Sequence, residues 1–139
     1  MSSYKDITTF STSMLVKSLD TLRISAGEDD GDWGAEFPQG VVIFVPEGEY
    51  FTVRIESFGA IPSDKKLVAM NAINATNDNL AFGKVVPNLI EGRQTIVFRN
   101  HFNFTQGVSQ FQLDALIDAS LQVGFDALGT IEELFEGAE

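Results

Sequence analysis

The chain has no cysteine, so disulfides, thiol nucleophiles and thiolate metal sites are excluded. It has one histidine, His101, with no second histidine to help hold a metal. No apolar run approaches the roughly 20 residues that a membrane-spanning helix needs. The opening Met1-Ser2-Ser3-Tyr4-Lys5-Asp6 has no basic stretch leading into an apolar one, so no secretory signal is expected and the cytoplasm is the default compartment. Basic residues are scarce: nine Lys and Arg stand against twenty Asp and Glu, a net charge of −11. Such a balance disfavours a nucleic-acid partner, whose affinity rests on cations neutralising phosphates, and an anionic membrane surface. It favours solubility.

What is present suits one folded domain. The 139 residues are 44% hydrophobic and 21% charged, ordinary globular usage at ordinary domain size. No linker, repeat or low-complexity segment divides residues 1–139. Twelve Phe against two Tyr and one Trp imply a core rich in aromatic rings.

Apolar spacing sets the expected elements. Ile7, Phe10 and Met14, followed by Leu15, Leu19 and Leu22, recur at spacings of three and four, which predicts a helix from Ser3 to about Leu22. Ser3 with Asp6 resembles its capping box. Trp33–Phe37 and Val41–Val45 read as strands. Tyr50–Phe58 alternates, with Phe51, Val53 and Ile55 opposed to Thr52, Arg54 and Glu56, as a half-buried strand does. A short helix follows Pro62, its stripe carried by Leu67, Met70 and Ile73. Leu80–Val86 begins a strand that Pro87 is expected to stop, and Gln94–Phe102 alternates as its partner. Ser109 with Gln112 forms a capping box, and Val108 with Leu113 a hydrophobic staple, at the start of a long last helix. Gly124 and Gly129 mark either close packing within that helix or a break near Gly129-Thr130. The order helix-strand-strand-strand-helix-strand-strand-helix implies an α+β fold with an antiparallel sheet of about five strands.

Chemistry-bearing motifs are sparse. Glu28, Asp29, Asp30 and Asp32 invite a calcium reading. An EF-hand loop needs glycine at its sixth position and glutamate at its twelfth. Counting from Glu28 those positions are Trp33 and Gln39, and from Asp30 they are Ala35 and Val41, so a solvated acidic loop is expected and no metal site. Gly-x-Ser-x-Gly, the P-loop pattern and Gly-x-Gly-x-x-Gly are all absent. His101 reads as a polar residue near a strand end. No catalytic residue and no cofactor site is expected, and the protein is read as a non-enzyme.

The densest local pattern is Asn71-Ala72-Ile73-Asn74-Ala75-Thr76-Asn77-Asp78-Asn79-Leu80-Ala81-Phe82-Gly83-Lys84. It reads as a helix end running into a strand. Its amides can bind a ligand, or they can cap the helix and occupy left-handed positions. Asn71 and Asn74 leading into Leu80-Ala81-Phe82-Gly83-Lys84, within the element order above, resemble the YbjN family of bacterial proteins, which shares the fold of type III secretion chaperones. The resemblance spans roughly Ile7 to Phe135. It implies an α/β sandwich, a helix-covered antiparallel sheet that is often paired as a homodimer. It also implies apolar patches on the sheet and first helix that hold segments of a partner protein. The candidate protein-binding residues are Ile7, Phe10 and Met14 on that helix and Leu67, Val68 and Met70 on the second. Leu67, Val68 and Met70 either face a second subunit or cover the sheet. The expected partner is another protein or peptide, met by a module of chaperone-like or regulatory type; the alternative is a small-ligand sensory domain.

Overall fold

The computed structural model describes residues 4–90 and 92–137. Ser3, which starts the expected first cap, and the end of the tail at Ala138-Glu139 lie outside them. So do the side chains of Phe135, in the expected stripe of the last helix, and of Glu136.

The fold is α+β. In chain order come α1 (Thr12–Thr21), β1 (Gly27–Asp29), β2 (Asp32–Phe37), β3 (Gly40–Glu47), β4 (Tyr50–Ala60), α2 (Lys66–Asn79, after a 3-10 turn at Ser63–Lys65), β5 (Lys84–Ile90), β6 (Arg93–Asn103) and α3 (Gln110–Gly137). The strands form one sheet in the order β1-β2-β3-β4-β6-β5, with every neighbouring pair antiparallel.

Because strand side chains alternate between faces, strands β3 to β6 each turn one set into the core, while all three residues of β1 are exposed. Val42 and Phe44 of β3, Phe51, Val53 and Ile55 of β4, Val85 of β5, and Ile96 and Phe98 of β6 form this set. Onto it pack Leu15 and Leu19 of α1, Ala69 and Ile73 of α2, and Leu113, Ile117, Leu128 and Ile131 of α3. All three helices therefore cover the same face. The core is aromatic, as the phenylalanine count implies. Phe51 is fully buried, with ring centroids of Phe10, Phe102 and Phe44 at 5.5, 6.0 and 6.4 Å.

Three expectations are corrected. The first helix begins at Thr12, capped by Ser11, whose hydroxyl accepts from the Met14 N–H. The preceding Ile7-Thr8-Thr9 is β-branched, which favours extended backbone. Thr8 there pairs with Val108 through two backbone hydrogen bonds of 3.0 and 2.9 Å. The sheet has six strands rather than about five. The extra one, β1, lies in the acidic loop and turns back through Asp30-Gly31, whose φ angles of 53° and 92° are positive. Two positive φ values in a two-residue loop match the tight right-twisted hairpin turn, and Asp-Gly is among its preferred sequences. Strand β5 runs on through Pro87 to Ile90, because it is an edge strand and the missing N–H costs no ladder bond there.

The last helix is continuous. Its capping box is formed as expected: Ser109 N–H donates to Gln112 Oε1 at 2.9 Å and Gln112 N–H to Ser109 Oγ at 3.0 Å. Gly124 resolves toward close packing, since a Cβ there would stand 2.5 Å from Ile55 and 2.6 Å from Phe98.

Candidate functional site

The opposite sheet face carries no helix among the described residues. Register fixes its rows. One row crosses five strands: Gly34 of β2, Ile43 of β3, Arg54 of β4, Arg99 of β6 and Lys84 of β5 stand in direct opposition, each to the next. The adjacent row runs Glu36, Val41, Glu56, Val97, Val86. On the other side Val45 opposes Thr52, which opposes His101. Val41, Ile43 and Val45 are half-buried, while Lys84, Arg99 and His101 are exposed. An apolar strip on β3 thus borders a basic row.

Arg54 donates from Nε to Glu56 Oε1 at 2.9 Å. Thr52 Oγ1 and His101 Nδ1 lie 2.8 Å apart, and the Tyr50 ring stacks on His101 at 5.6 Å. The histidine thus meets a threonine hydroxyl and an aromatic face. Among the described residues no three His, Asp or Glu side chains gather where a metal ion could sit.

The candidate residues drawn from the sequence fall in two places. Phe10 is 4% exposed, between Phe51 and Phe104 in the core, so it is unavailable to a partner in this conformation. The extended backbone before α1 turns it inward. Ile7 is exposed, and Met14 is half-buried against the Thr8 hydroxyl. Leu67, Val68 and Met70 all lie exposed on α2, Leu67 at 74%. These positions do not lie on the open sheet face. Arg54, Arg99 and Lys84 belong to no sequence motif, although strand alternation against buried Val53, Ile55 and Phe98 puts Arg54 and Arg99 on the side away from the core.

The asparagine junction is structural. The Asn77 side chain holds both backbone groups of Val85, and Asn79 Nδ2 donates to the Ala75 carbonyl. Gly83 has φ 76°, and a Cβ there would lie 2.4 Å from Phe98, so the chain enters β5 through a site only glycine suits.

Two grooves of about 550 Å³ each flank the helices. One, between α2 and α3, is lined mainly by Ala72, Ala75, Leu80, Val123, Ala127 and Leu134. The other lies beside α1 and includes Tyr4, Ser11, Met14, Lys17 and Gln110. Below it, buried Asp114 accepts from the Tyr4 hydroxyl at 2.7 Å and from the Ser18 hydroxyl, and Gln110 Nε2 donates to Ser18 Oγ and the Met14 carbonyl. The network ties residue 4 and α1 to α3.

No described helix is long and apolar enough to cross a membrane. No family model matches the sequence, and no curated protein matches it. Solved structures do match. One is the crystal structure of YbjN from E. coli, a proposed transcription regulator, at TM-score 0.76 and 13% identity, covering 88% of this chain and 92% of that one. Another is an uncharacterized protein from Methanothermobacter thermautotrophicus, at TM-score 0.63 and 13% identity, covering 91% and 99%. At these identities the likeness concerns the fold alone: the chain has a YbjN-like fold.

Proposed function

We propose that the protein is a non-enzymatic interaction module of regulatory or chaperone-like type, working in the cytoplasm, which holds another protein or a peptide on the open face of its sheet. The observation that carries this reading is the one-sided cover of the sheet. Three helices bury one face, while Val41, Ile43 and Val45 remain half-exposed on the other. A contiguous apolar strip rimmed by polar residues marks an interaction surface. The fold of a proposed transcription regulator supports a regulatory setting by analogy only. Hydrogen exchange on the protein with bound peptides from a random library tests it. Protection on β3, β4 and β6 is expected. Peptide binding that protects only helices, or no peptide binding at all, overturns it.

A second reading, a small-ligand sensory domain, draws on the α2–α3 groove, whose volume of about 550 Å³ lies within the range of ligand pockets. Small molecules that raise the melting temperature and protect Ala72 and Val123 from exchange favour this reading over the first. Pairing is a separate proposal: exposed Leu67, Val68 and Met70 on α2 meet a second subunit. Sedimentation is expected to give a dimer, and a monomer at every accessible concentration contradicts it.

A further inference from the structure

The basic row is out of character with the chain around it. A protein of net charge −11 has nine cationic side chains. Three of them, Arg54, Arg99 and Lys84, stand in line on neighbouring strands of one face. Arg54 directly opposes Arg99, and Arg99 directly opposes Lys84. Like charges in direct cross-strand opposition destabilise a sheet. Glu56 is diagonal to Arg99 and already engaged by Arg54, so one carboxylate serves three cations. Folding does not call for this arrangement, and a chain with twenty acids has ample means to alternate the signs.

We infer that the row receives carboxylates from a partner, and that the open face binds an acidic, amphipathic segment of another protein, with acids on Arg54, Arg99 and Lys84 and apolar side chains on Ile43, Val41 and Val45. The inference rests on the interaction-module reading and names the partner's chemistry. Dimensions agree. Three strands place the outer cations about 10 Å apart, the rise of a helix between positions i and i+7. The apolar strip lies one strand beyond Arg54, and Gly34 next to Ile43 adds no side chain that would block it.

Other occupants fit less well. A second copy seated symmetrically through this face would set cations against cations. A copy offering a different surface instead would make a head-to-tail contact, which builds a ring or an open filament rather than a two-fold pair. A nucleic acid would meet three cations against a net charge of −11, too few to offset the repulsion.

The test uses the full chain and labelled peptides in fluorescence anisotropy. The probes are a glutamate–leucine peptide at helical spacing, its lysine–leucine counterpart, a neutral glutamine–leucine peptide and a single-stranded oligonucleotide. The glutamate–leucine peptide is expected to bind best, to weaken with salt, and to weaken by about tenfold or more in the double variant Arg99→Gln, Lys84→Gln. Both side chains are exposed, so that variant keeps its melting temperature or raises it. The reversed variant Arg99→Glu, Lys84→Glu is expected to prefer the lysine–leucine peptide. If the neutral peptide binds as well as the acidic one, or the variants bind alike, the inference falls and the interaction module stands. If no peptide binds, both fall. Preference for the oligonucleotide overturns the inference in favour of a nucleic-acid face.

Discussion

Asn77 hydrogen-bonds both backbone groups of Val85, accepting from its N–H at 2.7 Å and donating to its C=O at 2.9 Å. A helix side chain thus stands where a further strand would pair. Strand β5 is the sheet edge, and an open edge is a template for unwanted pairing. Two residues on, Pro87 faces the same side of the strand, since alternate residues do, and it has no N–H to offer. Amide and proline together block two successive outward-facing pairing positions of this edge. Replacing Asn77 by Ala leaves two strand groups without that partner. A loss of about 1–3 kcal/mol is expected in urea unfolding. Asn77→Asp, which keeps the acceptor and loses the donor, is expected to fall between wild type and Asn77→Ala.

Two glycines should respond in opposite directions to alanine. Gly83→Ala forces a side chain into a φ of 76° and against Phe98, so a loss of about 1–3 kcal/mol or more is expected. Gly129 lies inside α3 with open space at its Cβ position, and Gly129→Ala is expected to gain up to about 1 kcal/mol in helix propensity. Chemical denaturation of the two variants side by side checks both signs.

The Tyr4–Asp114 contact makes a pH prediction. The hydrogen bond to the Asp114 carboxylate raises the Tyr4 pKa above its ordinary 10.0. The folded state therefore holds the phenolic proton more tightly than the unfolded state. This contribution is fully present below the ordinary value and is lost as pH rises through the folded pKa. Melting temperatures across that alkaline range should fall less steeply for Tyr4→Phe than for wild type. Equal slopes would remove the contact from the account.

Trp33 faces the core side of β2, and its Nε1 is buried with no hydrogen-bond partner among the described residues. An unmet buried donor costs about 1–3 kcal/mol, which offsets much of what the larger ring gains. Trp33→Phe is expected to change stability by less than about 1 kcal/mol, whereas Trp33→Ala should lose clearly more in the same unfolding assay.

Local signals in the sequence were readable where they act locally. The Ser109–Gln112 box marks the start of α3, and the alternation Phe51, Val53, Ile55 marks the buried side of β4. Ile7 and Phe10 misled because helical spacing also fits a non-helical segment that turns one ring inward, whereas Met14 lies on α1 as its spacing implies. Asp30-Gly31 carried a hairpin signal that the surrounding acids masked. The basic row lay beyond reading for a different reason. The outward position of Arg54 and of Arg99 follows from each strand alone, but their opposition depends on β4 pairing with β6 across the whole of α2 and β5. Register between distant strands is not written in local periodicity.

Relief of the like-charge opposition should be measurable without any partner. Arg99→Gln removes a cation flanked on both sides by cations, so stability should rise by about 0.2–1 kcal/mol at low salt and by less at high salt. A loss at low salt would show that Arg99 supports the sheet.

The central claim, that the open sheet face is the docking surface, is tested most directly by NMR titration of the protein with the glutamate–leucine peptide. Shifts concentrated at Ile43, Arg54, Arg99 and Lys84 and their strand neighbours are the expected result. Shifts confined to Ala72, Val123 and Leu134 in the α2–α3 groove, or to Leu67 and Met70 on α2, would contradict it.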